Sequence, residues 1–484
     1  VAGDEILINV APGETRVAVL EQGVLQDIIV ERAARRGLVG NIYRGRVARV
    51  LPGMQAAFVD IGLARTAFLH ADDVPPPPGS PAGATPPVRE LLREGDPVLV
   101  QVRRDPLGTK GARVSMRLTV PSRYLVLLPG EPGVGVSALI TAEAERDRLR
   151  AAVSDLIAAS GDGCIVRTAA DGVAGPELTA DYAFVRELWA LIRAGGDTAP
   201  VPALVHAELP VEARVLRELR QPATARVWVD APEVADALRA FAARFVPELA
   251  GRIEVHAESR PLLDRHGIED ELERLLDPRV ALRSGGHLVI ERTEAMTTVD
   301  VNTGAFVGHR DQEETILRTN LEAAQVVARQ LRLRNLGGIV VIDFIDLATA
   351  PHRRQVLDTL VAAVAGDPGR PQVVDVDALG LVVLTRKRTR DSLDDVLARP
   401  CATCGGTGRV KAVATVGGEV LRAVRRRLPA PAARECVVIA HREVVDWLQA
   451  APGALADLAA AGAPPLRLQA EPQYAPEQFD VVVA

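Results

Sequence analysis

Between positions 287 and 346 the hydrophobic pattern changes period twice. His287–Glu291 (HLVIE) and Met296–Asn302 (MTTVDVN) alternate like short strands, joined by the polar link Arg292–Thr293–Glu294. The spacing then turns helical over Glu313–Arg334, with Leu317, Leu321, Ala324, Ala328 and Leu331 on one stripe. Gly337–Gly338 is expected to close that helix, because glycine takes a left-handed cap without steric cost. Ile339–Asp346 (IVVIDFID) follows, an apolar run of the kind expected for a strand covered on both faces. Strand, helix, strand predicts a right-handed crossover and two parallel neighbours. Asp300 and Asp343 then lie toward the carboxyl ends of those strands, where open α/β sheets place their sites.

Upstream, Glu5–Val10 and Arg16–Glu21 alternate around a turn at Gly13. Asn41–Val50, Gln55–Asp60, Thr66–His70, Pro97–Val102 and Arg113–Leu118 predict five short strands, the number of an OB-type barrel. Pro75–Pro87 (PPPPGSPAGATPP) reads as a polyproline-like, mobile insert between two of them. Pro121–Leu128, the helical Ala142–Ser160 and the strand-like Cys164–Thr168 predict a further α/β piece. A helix over Glu177–Arg193 is expected to end in a linker, Ala194–Pro202 (AGGDTAPVP). Helices over Val211–Arg220 and Ala231–Phe245 flank a strand at Ala225–Val229. Beyond the strand Gly380–Leu384, residues 415–484 read as a small α/β unit suited to assembly, with helices Val416–Leu428 and Arg442–Ala450 and strands Glu435–Ala440 and Leu466–Ala470.

The period of two puts Asp300 and Asn302 on one face of their strand. A carboxylate in an apolar strand must be paired or metal-bound if it is buried. Either aspartate alone could cap a turn or pair with an arginine. Two at matched depth, with Asn302 beside one, favour magnesium, which uses one or two carboxylates and keeps several waters. Cys401–Ala402–Thr403–Cys404 is a zinc-knuckle-like CxxC. Structural zinc wants four ligands, yet there is no second CxxC and no histidine within thirty residues. Thr385–Arg390 (TRKRTR) would set Arg386, Arg388 and Arg390 on one face of a continuing strand, as a phosphate track or a solvated basic edge.

Composition narrows the class. Hydrophobic content of 48% and charged content of 25% are ordinary for a globular protein. No apolar run is long enough to span a membrane, and the first residues show no signal-peptide pattern, so a cytoplasmic protein is expected. Four cysteines in 484 residues exclude a disulfide framework. A net charge of -6 does not advertise a nucleic-acid binder, but binding needs only a local basic surface. Lysine is scarce (Lys110, Lys387 and Lys411), and aromatics are only 3% of the chain, so Tyr43, Phe58 and Phe68 within the predicted barrel stand out as base-stacking candidates.

TTVDVNTGAFVGHR and RQLRLRNLGGIVVIDFIDL closely resemble the catalytic segments of the ribonuclease E/G family, and the likeness runs over nearly the whole chain. It implies a magnesium-dependent endoribonuclease acting on single-stranded RNA (rRNA precursors and mRNA), with Asp300 and Asp343 holding the metal and Asn302 assisting. NIYRGRVARV, AAFVDIG and AFLH resemble an S1 RNA-binding domain, which moves Phe58, Phe68 and Lys110 to the RNA side and leaves Tyr43 undecided. Val126, Arg167 and Thr168 match a sensor of the RNA 5′ end; Ser137–Ala138–Leu139 departs from the pattern there, as Val383 does in the catalytic part. Cys401 and Cys404 match a zinc link in which two chains share one ion, making a homodimer.

The fold implied is a multidomain α/β protein. Residues 1–36 and 214–278 form an RNase H-like fold without its catalytic carboxylates. Residues 37–119 are an S1 barrel inserted between those pieces, 120–213 a 5′-sensor domain, 279–400 a DNase I-like catalytic domain, 401–414 the zinc link and 415–484 a small C-terminal domain. A non-catalytic S1-type RNA-binding protein and a DNA-directed nuclease are the competing readings.

Overall fold

Alternation along Met296–Asn302 and Gly338–Asp343 buries Val299, Val301, Val340 and Ile342 on one face of a sheet, and this face organises the surrounding part of the chain. The structure, a computed structural model, describes residues 4–77, 86–106, 110–219, 226–303, 312–376, 380–388, 390–427 and 435–483. It divides into two units, Val1–Val396 and Leu397–Ala484. Six strands lie in the order Arg279–Ala281, His287–Arg292, Met296–Asn302, Gly338–Asp343, Val382–Arg386, Gln372–Val376. Only the central pair, Met296–Asn302 with Gly338–Asp343, is parallel, and the helix Gln312–Leu333 connects those two strands.

Three expectations change here. The Gly338–Asp343 strand is not covered on both faces: Val340 and Ile342 are sealed, whereas Ile339 is 44% exposed and Val341 only half-buried. A largely antiparallel sheet can leave one face to water. The helix buries Ala323, Ala324, Val327, Ala328 and Leu331 against the sheet, while Leu317 and Leu321 stay half-buried. Its closure also falls earlier than Gly337–Gly338. Asn335 takes the left-handed conformation at φ 48°, its N–H reaching Arg332 O at 3.2 Å while Leu336 N–H reaches Leu331 O at 3.0 Å. That pair of bonds is a Schellman cap with asparagine in the glycine position.

The first strands pair with a distant segment. Ile253–Val255, Arg226–Val229, Glu5–Ala11, Glu14–Glu21 and Val24–Arg32 form one sheet, in which Ile6 sits opposite Val227 on a parallel neighbour. Between these pieces Ile42–Leu51, Ala56–Asp60, Ala67–His70, Arg113–Ser115 and Pro97–Arg104 close into a five-strand barrel, the last pairing back onto the first. Tyr43 belongs to its core at 6% exposure. Most of the Pro75–Pro87 segment lies outside the described residues.

A four-stranded sheet (Gly133–Val136, Gly163–Val166, Leu125–Leu128, Val120–Pro121) packs against the helices Glu143–Ile157 and Gly175–Thr198. The second helix runs into the expected linker and ends at Thr198, leaving only 199–202 outside it. Gly196 is there for closeness: a β-carbon would stand 3.1 Å from Leu99 Cδ1 of the barrel. The Leu397–Ala484 unit has helices Val413–Arg427, Arg442–Gln449 and Pro452–Ala460 on a three-stranded sheet of Leu466–Ala470, Cys436–Ala440 and Phe479–Val483. Among the described residues no helix is long and apolar enough to cross a membrane.

Candidate active site and RNA interface

Asp300 and Asp343 are register partners, the last pair of the central parallel ladder. Neighbouring strands lie about 4.8 Å apart, so the two carboxylates start from adjacent backbone positions. Asn302 donates from Nδ2 to Asp300 Oδ2 at 2.8 Å, as expected for two residues on one face. Both aspartates are exposed, so burial does not force a partner on them; adjacency is what brings two negative charges together. Among the described residues no three His, Cys, Asp or Glu side chains converge as a metal cage. Two carboxylates open to water nevertheless fit magnesium, which keeps much of its hydration and completes its shell from phosphate oxygens. Residues 304–311, which include the whole GAFVGHR stretch, lie outside the described residues.

The expected phosphate track is broken up. The strand ends at Arg386, and that side chain is sealed. Its Nε and Nη2 donate to Asp367 Oδ2 and Oδ1 at 2.7 and 2.9 Å, and Nη1 donates to Leu336 O at 2.9 Å and Asn335 Oδ1 at 3.1 Å. With its donors engaged inside the protein, Arg386 is removed from the RNA side. Arg390 pairs with Asp27 at 2.6 Å. Arg388 is exposed, its Nε donating to Gly337 O at 3.1 Å, and keeps surface to offer a phosphate.

On the barrel, Ala57, Val59, Ala67 and Leu69 point inward, which turns Phe58 and Phe68 outward. The rings face each other across the strands, edge to face, with centroids 6.2 Å apart. His70 extends the row at 6.5 Å from Phe68. Register places Arg49 beside Phe58 and Arg113 beside Phe68. His70 was readable from the alternation, since it sits two residues beyond Phe68; Arg49 needed the strand register. Lys110 is exposed.

Val126 lies on the face of the four-stranded sheet opposite the buried Leu125 and Leu127, across from the exposed Ile165. Arg167 follows that strand and donates to Ser122 O at 2.6 Å, with the Glu218 carboxylate 3.9 Å away. Burial pulls its pKa down, and Glu218 works in the opposite direction. The Thr168 hydroxyl bonds that of Ser137 at 2.8 Å. Arg167 is thus held by Ser122 and Glu218, and the Thr168 hydroxyl by that of Ser137.

In the Leu397–Ala484 unit, Gly405 N–H bonds Cys401 O at 2.8 Å and Thr407 N–H bonds Cys404 O at 3.0 Å, folding the CxxC into a tight knuckle. N–H groups of Cys404 and Thr403 lower the Cys401 thiol to about 7. A thiolate available at neutral pH suits zinc, and two cysteines make half of its usual set.

The model of the Ribonuclease E/G family matches residues 119–389. The chain is 46% identical over 486 residues to the ribonuclease G of Escherichia coli (strain K12) and 43% identical over 487 residues to that of Haemophilus influenzae, in each case over 99% of both chains. It is 37% identical over 431 residues to the ribonuclease E of a Nostoc species, spanning 88% of this chain and 61% of that one. The chain belongs to the ribonuclease E/G family and is an endoribonuclease.

Proposed function

We propose that the enzyme hydrolyses single-stranded RNA with magnesium held by Asp300 and Asp343. The observation that carries this is the register pairing of the two aspartates at an open sheet end. Magnesium bound there would supply charge stabilisation at the phosphate and a water of lowered pKa. Asn302 holds Asp300 through one oxygen, which fixes the carboxylate's rotation and leaves its other oxygen outward. Water adds to phosphorus and the P–O3′ bond breaks, leaving a 5′-phosphate on the downstream product. The Phe58–Phe68–His70 row offers stacking surface to unpaired bases, with Lys110 and Arg388 as cations for the backbone.

Val126, Arg167 and Thr168 form the site for a 5′-monophosphate. Anchoring one end of the RNA raises the local concentration of the downstream strand at the aspartates. Cys401 and Cys404 from two chains complete one zinc, giving a homodimer, and the substrates are rRNA precursors and mRNA in the cytoplasm. A free-thiol state of all four cysteines suits that compartment.

The test is cleavage of a 5′-monophosphorylated single-stranded RNA with and without magnesium, beside DNA of the same sequence. Magnesium-dependent cutting of RNA alone is expected. Binding without cutting would leave an RNA-binding scaffold, and equal cutting of DNA would mean a general nuclease.

A further inference from the structure

Asn320 stands out because it is polar, 0% exposed, and sits within the helix that joins the two catalytic strands. Asparagine is a poor helix former, and a sealed carboxamide is tolerated only with its hydrogen bonds made. Here both ends of the amide reach one residue. Nδ2 donates to Ile345 O at 2.7 Å, and Oδ1 accepts from Ile345 N–H at 3.1 Å. Ile345 lies two residues beyond Asp343, where the strand and its ladder have ended. The side chain therefore replaces the missing ladder, offering the donor and acceptor that a neighbouring strand would have offered.

The same turn of helix supports the other catalytic strand. Glu322 accepts from the backbone N–H groups of Arg283 and Ser284 at 2.5 and 2.9 Å, holding the turn before His287, the residue paired with Asn302. A β-carbon on Gly286 would stand 2.4 Å from Asn302 O and 3.2 Å from Thr319 Cγ2, so that turn presses against the strand end and the helix together. Asn320 and Glu322 thus reach the flanks of the two aspartate-bearing strands.

We propose that Asn320 is a positioning residue that fixes the chain leaving Asp343, and with it the placement of the Asp343 carboxylate relative to Asp300. The inference rests on the reading of these aspartates as the magnesium site. Supporting contacts around metal ligands act on metal affinity and on turnover while leaving remote substrate contacts alone, so the effect belongs on kcat and not on KM.

The test compares Asn320→Ala and Asn320→Asp with Thr319→Val. Thr319 is 1% exposed and gives its hydroxyl to Thr315 O within the helix, so its loss perturbs the same turn without touching Ile345. Asn320→Asp keeps the acceptor for Ile345 N–H and loses the donor, and it serves if the alanine variant does not fold. Asn320→Ala is expected to lower kcat about ten- to a hundredfold and to raise the magnesium concentration at half-maximal rate, with KM for RNA unchanged. Asn320→Asp should lose at least as much kcat as alanine, because a sealed carboxylate would face Ile345 O with no proton to donate. Thr319→Val should lower the melting temperature yet keep kcat and the magnesium response. Loss of kcat in Thr319→Val equal to that in the Asn320 variants at matched stability would overturn the proposal, as would wild-type kcat and magnesium response in both Asn320 variants. Magnesium-independent turnover by the wild type would instead sink the metal reading itself.

Discussion

The strand Gly338–Asp343 has a charged register partner at each end, and the two ends treat charge oppositely. At its close Asp343 faces Asp300, like charge beside like charge, both open to water. At its start Gly338 faces Arg386, whose ion pair with Asp367 leaves the two side chains 4% and 5% exposed. One end is satisfied by the protein and closed. The other keeps two carboxylates open to water, which is what a site for a cation requires. Charge within a strand therefore says little about function until its partner is known.

The largest effect is expected at the open end. Asp300→Asn or Asp343→Asn should lower the cleavage rate by about a thousandfold or more while leaving RNA affinity and the melting temperature nearly intact, as single-turnover kinetics and binding would show. The closed end should behave in the converse way. Arg386→Ala strands Asp367 in a sealed site, and breaking a buried pair costs about 3–5 kcal/mol, read by denaturant unfolding. Its turnover per folded molecule should stay near wild type. A stable, inactive Arg386→Ala protein would erase the contrast between the two ends.

Smaller effects sharpen the same distinction between engaged and available charge. Arg167→Gln should remove the advantage of 5′-monophosphate over 5′-hydroxyl RNA, a loss of about 2 kcal/mol or tens of fold, without slowing the 5′-hydroxyl substrate. Equal loss on both would make Arg167 structural like Arg386. The smallest effect on turnover is expected at Cys401. Zinc analysis should find about half an atom per chain, because two cysteines supply half a tetrahedral site, and Cys401→Ser should release zinc and favour monomer. In metal-free protein the Cys401 thiol, lowered to about 7, is largely thiolate above neutral pH. Alkylation followed against pH should show a midpoint near that value, while Cys164, buried and pushed up to about 12, stays unreactive.

Much of this was legible in the chain. The strand–helix–strand pattern and the Asp300–Asn302 spacing depend on local period, and so do the five barrel strands. What failed depends on partners distant in sequence. The alternation in TRKRTR gives a face to Arg386 but not Asp367, nineteen residues earlier, that would claim it. Gly337–Gly338 looked like the natural cap, yet Asn335 took the left-handed position, where its side chain also accepts from Arg386. Gly195–Gly196 resembled a linker because their purpose, contact with Leu99 and Val205, is tertiary. Pro452–Ala460 is alanine-rich, with too little contrast between polar and apolar positions to mark a helix.

The most direct test of the open end is metal binding itself. Manganese, a paramagnetic substitute for magnesium, can be titrated into protein with a non-cleavable RNA bound and followed by electron paramagnetic resonance. Wild type should bind manganese at a site that Asp300→Asn and Asp343→Asn each weaken strongly, with RNA still bound and Arg386→Ala unaffected once folded. Undiminished manganese binding in both aspartate variants would contradict the assignment of the metal to this pair.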